Sequence, residues 1–197
     1  MNTFFVADTH FGHANVIKFD NRPFATVEDM DAAIIANWNS VVKDKDEVWH
    51  LGDFCYRNTK PAEWYLRQLN GRVHIIWGNH DDKGAKKIAH LFASAQESKF
   101  LRINDQRITL YHYAQRTWRS AHHGAWHLFA HSHGKLPAFG KSMDVGLMLH
   151  NYRPISLDAV AAFMANQPVC SDRTATDEYG NEPDKRGGQK KKWGGNE

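Results

Sequence analysis

Aspartate, asparagine and histidine gather in five short blocks: Asp8-Thr9-His10, Gly52-Asp53, Gly78-Asn79-His80-Asp81, His112 and His131-Ser132-His133. Imidazole and carboxylate suit Zn, Fe, Mn, Co or Ni. Asp-x-His and His-x-His are i, i+2 pairs, and on an extended strand both members of such a pair share a face. The donors are too many for one tetrahedral ion. Two ions about 3.5–4 Å apart, sharing one carboxylate, would use them economically. Such a pair activates a water and clamps a phosphate undergoing in-line displacement. Each block alone is weak, since a lone His at a strand end is usually a packing or surface residue and Gly-Asn-His-Asp suits a turn. The set, in order, carries the reading.

The elements around these blocks explain how they could meet. Thr3 to Ala7, Glu47 to Leu51 and Arg72 to Trp77 are short apolar runs that read as strands, and the first three blocks follow them directly. Lys99–Ile103 and Arg107–Tyr113 read as a hairpin around Asn104-Asp105, with His112 near its end. Trp126–Ala130 is a further strand before His131, and Ser142–Val145 another. In open α/β sheets, sites form in the crevice at the carboxyl ends of strands. Helices are expected from Thr26, which can cap Glu28, Asp29 and the apolar face of Met30, Ile34 and Trp38; from Pro61 to Gly71; over Lys83–Leu91; and after Ser156.

The 197 residues, 42% apolar and 24% charged, suit one domain over 1–170. The stretch 171–197 is polar, with Tyr179 and Trp193 its only large apolar residues, and is expected to be a loose tail. Its basic run from Lys185 to Lys192 reads as a solvated charged segment rather than a nucleic-acid contact. A net charge of +3 is too mild to indicate a nucleic-acid partner. Two cysteines, Cys55 and Cys170, exclude a disulfide framework and an all-thiolate metal site, against 13 histidines. No apolar run approaches the roughly 18 residues of a membrane span. No basic-then-apolar leader is visible at the N-terminus, so the expected location is cytoplasmic, with no membrane partner.

The five blocks together make the sequence resemble the calcineurin-like metallophosphoesterases over about Asn2–Ala165. Phe11-Gly12-His13, Arg22-Pro23-Phe24 and Trp126-His127 resemble a small bacterial and phage subgroup. One departure is Ala130, where the family usually has glycine; a methyl group fits there if φ is negative. The resemblance implies an α/β layered sandwich of two mixed β-sheets flanked by helices. It also implies two divalent metal ions, with Mn as the first expectation and Fe, Ni, Zn or Mg as alternatives. Asp8, His10 and His133 would hold the first ion, Asn79, His112 and His131 the second, and Asp53 would bridge them. His80 would face the phosphate as a catalytic residue. Asp81 joins it in the catalytic set, either orienting His80 or capping the following helix.

Two loops are expected to choose the substrate. The first offers His13 and Arg22, with His13 read equally as a neighbour of His10; Arg57 lies shortly after Asp53. The second, between Tyr113 and His127, offers Arg116, Trp118, Arg119, His123 and Trp126. Arginine forks onto phosphate and tryptophan stacks bases. The expected enzyme is therefore a phosphoesterase that hydrolyses a small phosphate mono- or diester, nucleotide-like or cyclic, by direct attack of a metal-bound water. A nuclease acting on RNA or DNA is the rival and would need a longer basic track. A non-catalytic, metal-stabilised binding module is a weaker rival, because all seven ligand positions and His80 are present.

Overall fold

A computed structural model describes residues 1–57 and 60–170, so the expected tail at 171–197 lies outside the described residues. The first sheet has the order β4-β3-β2-β1-β9. Its strands are β1 (Thr3–Val6), β2 (Glu47–His50), β3 (Arg72–Ile76), β4 (Ser94–Gln96) and β9 (Ile155–Ser156). The first four run parallel, and β9 pairs antiparallel with β1. The second sheet has the order β5-β6-β7-β8, from β5 (Ser98–Ile103), β6 (Gln106–Tyr111), β7 (Trp126–Phe129) and β8 (Ser142–Asp144). The β5–β6 pair is antiparallel and the rest are parallel. The helices are α1 (Ala14–Phe19), α2 (Val27–Val41), α3 (Ala62–Leu66) and α4 (Leu157–Ala165). This is the layered α/β sandwich of two mixed sheets that the sequence implied.

β1 shows why its sequence is continuously apolar. Phe4 and Val6 enter one core with Met30, Ile34 and Trp38 of α2, while Phe5 and Ala7 enter another with Ile108 of β6 and Leu128 of β7. The strand alternates faces, and both faces are covered. Val160 and Met164 of α4 fill the second core. A parallel bridge between Ala7 and Gly146 ties the end of β1 to the segment after β8. The carboxyl ends of the parallel strands in both sheets therefore meet at one rim.

Thr26 caps α2 as expected, its hydroxyl accepting the Asp29 N–H at 3.1 Å. Ser156 does the same for α4 at 3.2 Å. Asn104 and Asp105 take positive φ in the β5–β6 turn. The region expected as a helix over Lys83–Leu91 is instead two 3₁₀ segments, Asp81–Lys83 and Ala85–Leu91, with Ile88 off helical geometry. α3 ends at Leu66 rather than near Gly71. The short α1, β4 and β9 lacked a sequence signal; β4, reading Ser-Ala-Gln, takes its extended form from pairing with β3. Among the described residues, no helix is long and apolar enough to cross a membrane.

Candidate metal centre

The five blocks all converge at that rim. Donor atoms of Asp8, His10, Asp53 and His133 lie within 4.8 Å of one another, as do those of Asp53, His112 and His131. Asp53 belongs to both groups. Its Oδ2 lies 3.6 Å from His10 Nε2 and 3.6 Å from His112 Nε2. The Asn79 Oδ1 comes within 3.2 Å of His112 Nε2. The side chains converge, but not through strand geometry. Asp8, His10, Asp53, His131 and His133 all have φ between 49° and 65°. The expectation that i, i+2 pairs share a strand face is therefore corrected: these residues lie in left-handed turns beyond the strands. Ala130 does not take positive φ, so its methyl group is accommodated.

Left-handed backbone is costly for residues with a Cβ, so such turns need support from their surroundings. The Asp8–His10 loop runs beside the Asp53 loop, with Asp8 N–H donating to Gly52 O and His10 N–H to Asp53 O. A buried chain of hydrogen bonds locks both loops. Gly52 N–H donates to His50 Nδ1, so Nε2 carries the proton and donates to Thr9 Oγ1, which donates to Phe54 O. Burial pushes His50 down to about 3, in keeping with a neutral ring. Asp31 of α2 receives Gly12 N–H on both oxygens, and Asp144 receives Ser132 Oγ–H, Gly134 N–H and Gly146 N–H. Gly52 and Gly78 let the loops touch; a Cβ on Gly78 would collide with Asp53 Oδ1.

Three expectations about roles change here. Asp81 is fully buried, and its carboxylate receives the N–H groups of Asp53, Phe54 and Gly78. It neither orients His80 nor caps a helix; it supports the Asp53 loop. Arg22 is 4% exposed, and its guanidinium donates to the carbonyls of Thr9 and Asp8 and to Asp20, so it braces the first loop instead of reaching a substrate. Trp118 is buried, donating Nε1–H to Ala125 O. Trp126 opens β7 and packs into the second core, while Arg119 lies over Phe100 and His123 against His122. β6 and β7 are parallel, so the connecting segment must return to the amino end of β7. Its later residues therefore lie at the far end of the sheet from the metal rim. Arg116 lies over Phe139.

Several residues at the rim carry no signal in the sequence. Asp20 accepts from His133 Nδ1 at 2.5 Å, and Leu51 O accepts from His112 Nδ1 at 2.7 Å. Each contact leaves Nε2 facing the cluster, the second-partner arrangement common to metal-bound imidazoles. Tyr113 packs on His112 and His131, and Tyr56 on His13 and His80. His13 is at the site as expected, its ring 5.4 Å from that of His10. His80 is about one-third exposed, with Nε2 4.0 Å from Asp53 Oδ2.

The donor set fits divalent ions. His10 is 2% exposed, and neither ring nitrogen has a hydrogen-bond partner, which is costly unless something else binds it. Burial pushes His10 down and Asp8 up, with the Asp53 and Asp144 charges adding to the Asp8 shift. A bound cation reverses the Asp8 penalty and uses the neutral imidazoles.

Comparison with known proteins agrees. Residues 1–137 match the calcineurin-like phosphoesterase superfamily domain. An uncharacterized protein of Methanocaldococcus jannaschii is 34% identical over 175 residues, 84% of this chain and 93% of that protein. The gene 66 protein of Mycobacterium phage L5 is 39% identical over 83 residues, 41% of this chain and 40% of its own. A solved structure of a protein of unknown function from Aquifex aeolicus aligns with a TM-score of 0.64 at 26% identity, covering 82% of this chain and 98% of that one.

Proposed function

This chain belongs to the calcineurin-like phosphoesterase superfamily, and from that premise we propose that it is a dinuclear hydrolase of small phosphate mono- or diesters. The coarse activity, metal-dependent hydrolysis of a phosphoester bond, follows from the family. The observation that carries the dinuclear reading is Asp53 Oδ2, equidistant at 3.6 Å from His10 Nε2 and His112 Nε2. In this reading Asp8, His10 and His133 would hold one ion and Asn79, His112 and His131 the other, with Asp53 placed to serve both. When bound, the ions lower the pKa of a water and draw charge from the phosphate.

The chain's own residues do the rest. Asp20 and Leu51 O fix the rings of His133 and His112. His80, beside Asp53 and partly open to solvent, faces the phosphate and supplies a proton or hydrogen bond to the departing oxygen. Among the described residues, the hydroxyl and thiol flanking the candidate ligands are not set up for a covalent step. The Ser132 hydroxyl donates to Asp144, and burial pushes the Cys55 thiol up to about 12. Water therefore attacks directly. Arg57, exposed and lying over the Tyr56 ring that packs on His80, is the expected arginine with an observed contact toward the site, and it meets the substrate in this reading.

Purified protein loaded with Mn²⁺ should hydrolyse bis-p-nitrophenyl phosphate or p-nitrophenyl phosphate, and a chelator should stop it reversibly. Failure with each of Mn, Fe, Ni and Zn would overturn the proposal. Activity confined to RNA or DNA would instead make the protein a nuclease.

A further inference from the structure

Beside the proposed phosphate position lies a continuous row of rings. Tyr56 sits 4.5 Å from His80, edge to face; His13 sits 4.9 Å from Tyr56; and Phe19 sits 6.4 Å from His13. The Arg57 guanidinium lies 5.2 Å over the Tyr56 ring. Phe19, the last residue of α1, is 69% exposed, although it borders a polar centre. A lone exposed phenylalanine is ordinary. One that continues a ring row leading to the group that meets the departing oxygen, with a cation on the same row, makes a wall of another kind. The rings meet edge to face, at 67°, 71° and 73°, and His13 is buried. Phe19 and Tyr56 therefore offer the faces that, with the guanidinium plane, stack a planar ring; such stacking tolerates different bases.

From this we infer that the Phe19–Tyr56 row, with Arg57, is a subsite for a planar heterocycle carried on the phosphate ester, so the preferred substrates are nucleotide-class esters. The inference rests on the phosphoesterase reading and names its substrate class. His80 and the metal residues hold the phosphate, and the row holds the base a sugar's length away.

The test compares two phosphates that differ only in the base. Affinities of AMP and ribose 5-phosphate for the Mn²⁺-loaded full-length protein are measured as initial-rate competition constants against bis-p-nitrophenyl phosphate hydrolysis, for wild type, Phe19→Ala and Tyr56→Leu. Phe19 is exposed enough that its truncation does not threaten folding. AMP should bind wild type about tenfold tighter than ribose 5-phosphate, and the ratio should fall toward one in both variants. Equal affinities in wild type, or a ratio unchanged in Phe19→Ala and Tyr56→Leu, overturns the subsite while hydrolysis of bis-p-nitrophenyl phosphate persists. If wild type hydrolyses no phosphate ester, the phosphoesterase reading fails, and the subsite with it.

Discussion

Asp53 and His80 lie against each other yet serve different ends, and the difference is measurable. The shared charge of Asp53 serves both donor groups, so Asp53→Asn should lower the metal content by at least one ion per chain and cut hydrolysis at least about 10²-fold. His80 supplies no ligand atom in the proposed scheme. His80→Asn should keep its full metal content and lose about 10²–10⁴-fold in kcat. Metal analysis and turnover on the same preparations decide it, and an emptied centre in His80→Asn would sink the assignment. The candidate ligands were legible in the sequence because residue type and order carry metal chemistry. Arg22, Asp20, Asp144 and His50 were not, because each acts on partners brought near only by folding, such as the Thr9 carbonyl for Arg22 and the His133 ring for Asp20. Arg22 was misread for this reason: its charge suggests phosphate, and its burial turns it onto the Asp8 and Thr9 carbonyls.

At the scale of elements, strand punctuation told where the blocks would fall, and apolar runs ending in Asp, Asn or His marked the carboxyl rim. The local conformation did not follow from the strands, because five of the seven candidate ligands, Asp8, His10, Asp53, His131 and His133, take positive φ beyond them. Nor could the sequence say at which end of the second sheet the 113–125 segment finishes; the parallel β6–β7 pairing decides that. The turns depend on their braces. Asp144 receives hydrogen bonds from Ser132, Gly134 and Gly146 together, so Asp144→Ala should lower metal affinity by about 10–100-fold while far-ultraviolet circular dichroism stays native. An unchanged affinity in a metal titration would show that the His131–His133 turn holds itself.

Across the whole molecule, buried titratable groups pull stability in opposite directions as pH falls. His127 Nε2 accepts Gln115 N–H and its Nδ1–H donates to Thr109 O, so the ring is neutral, and burial lowers it to about 4. Its folded value lies below its unfolded one. Its contribution is therefore complete above about pH 6.5 and is lost as pH falls toward 4. Burial raises Asp31 to about 6, above its unfolded value, so its effect has the opposite sign and the fold gains as pH drops from 6 to 4. Comparing variants separates the two. In thermal melts of chelated protein, wild type should lose about 2 kcal/mol relative to His127→Gln across that range. It should gain a similar amount relative to Asp31→Asn, again about 2 kcal/mol. Parallel curves in either comparison would contradict the sign argument.

The join between the sheets also constrains the order of events. The Asp8 carboxylate accepts His131 N–H from a residue 123 positions away, and the Ala7–Gly146 bridge closes the same seam. Neither ligand turn can find its partner until both sheets have formed and docked. An early folding nucleus would therefore lack the centre, and metal loading would follow the rate-limiting step rather than help it. Mn²⁺ should leave the refolding rate where it is in chelator and slow unfolding instead. Stopped-flow traces with and without the ion would show this, and faster refolding with Mn²⁺ would mean that the seam closes early.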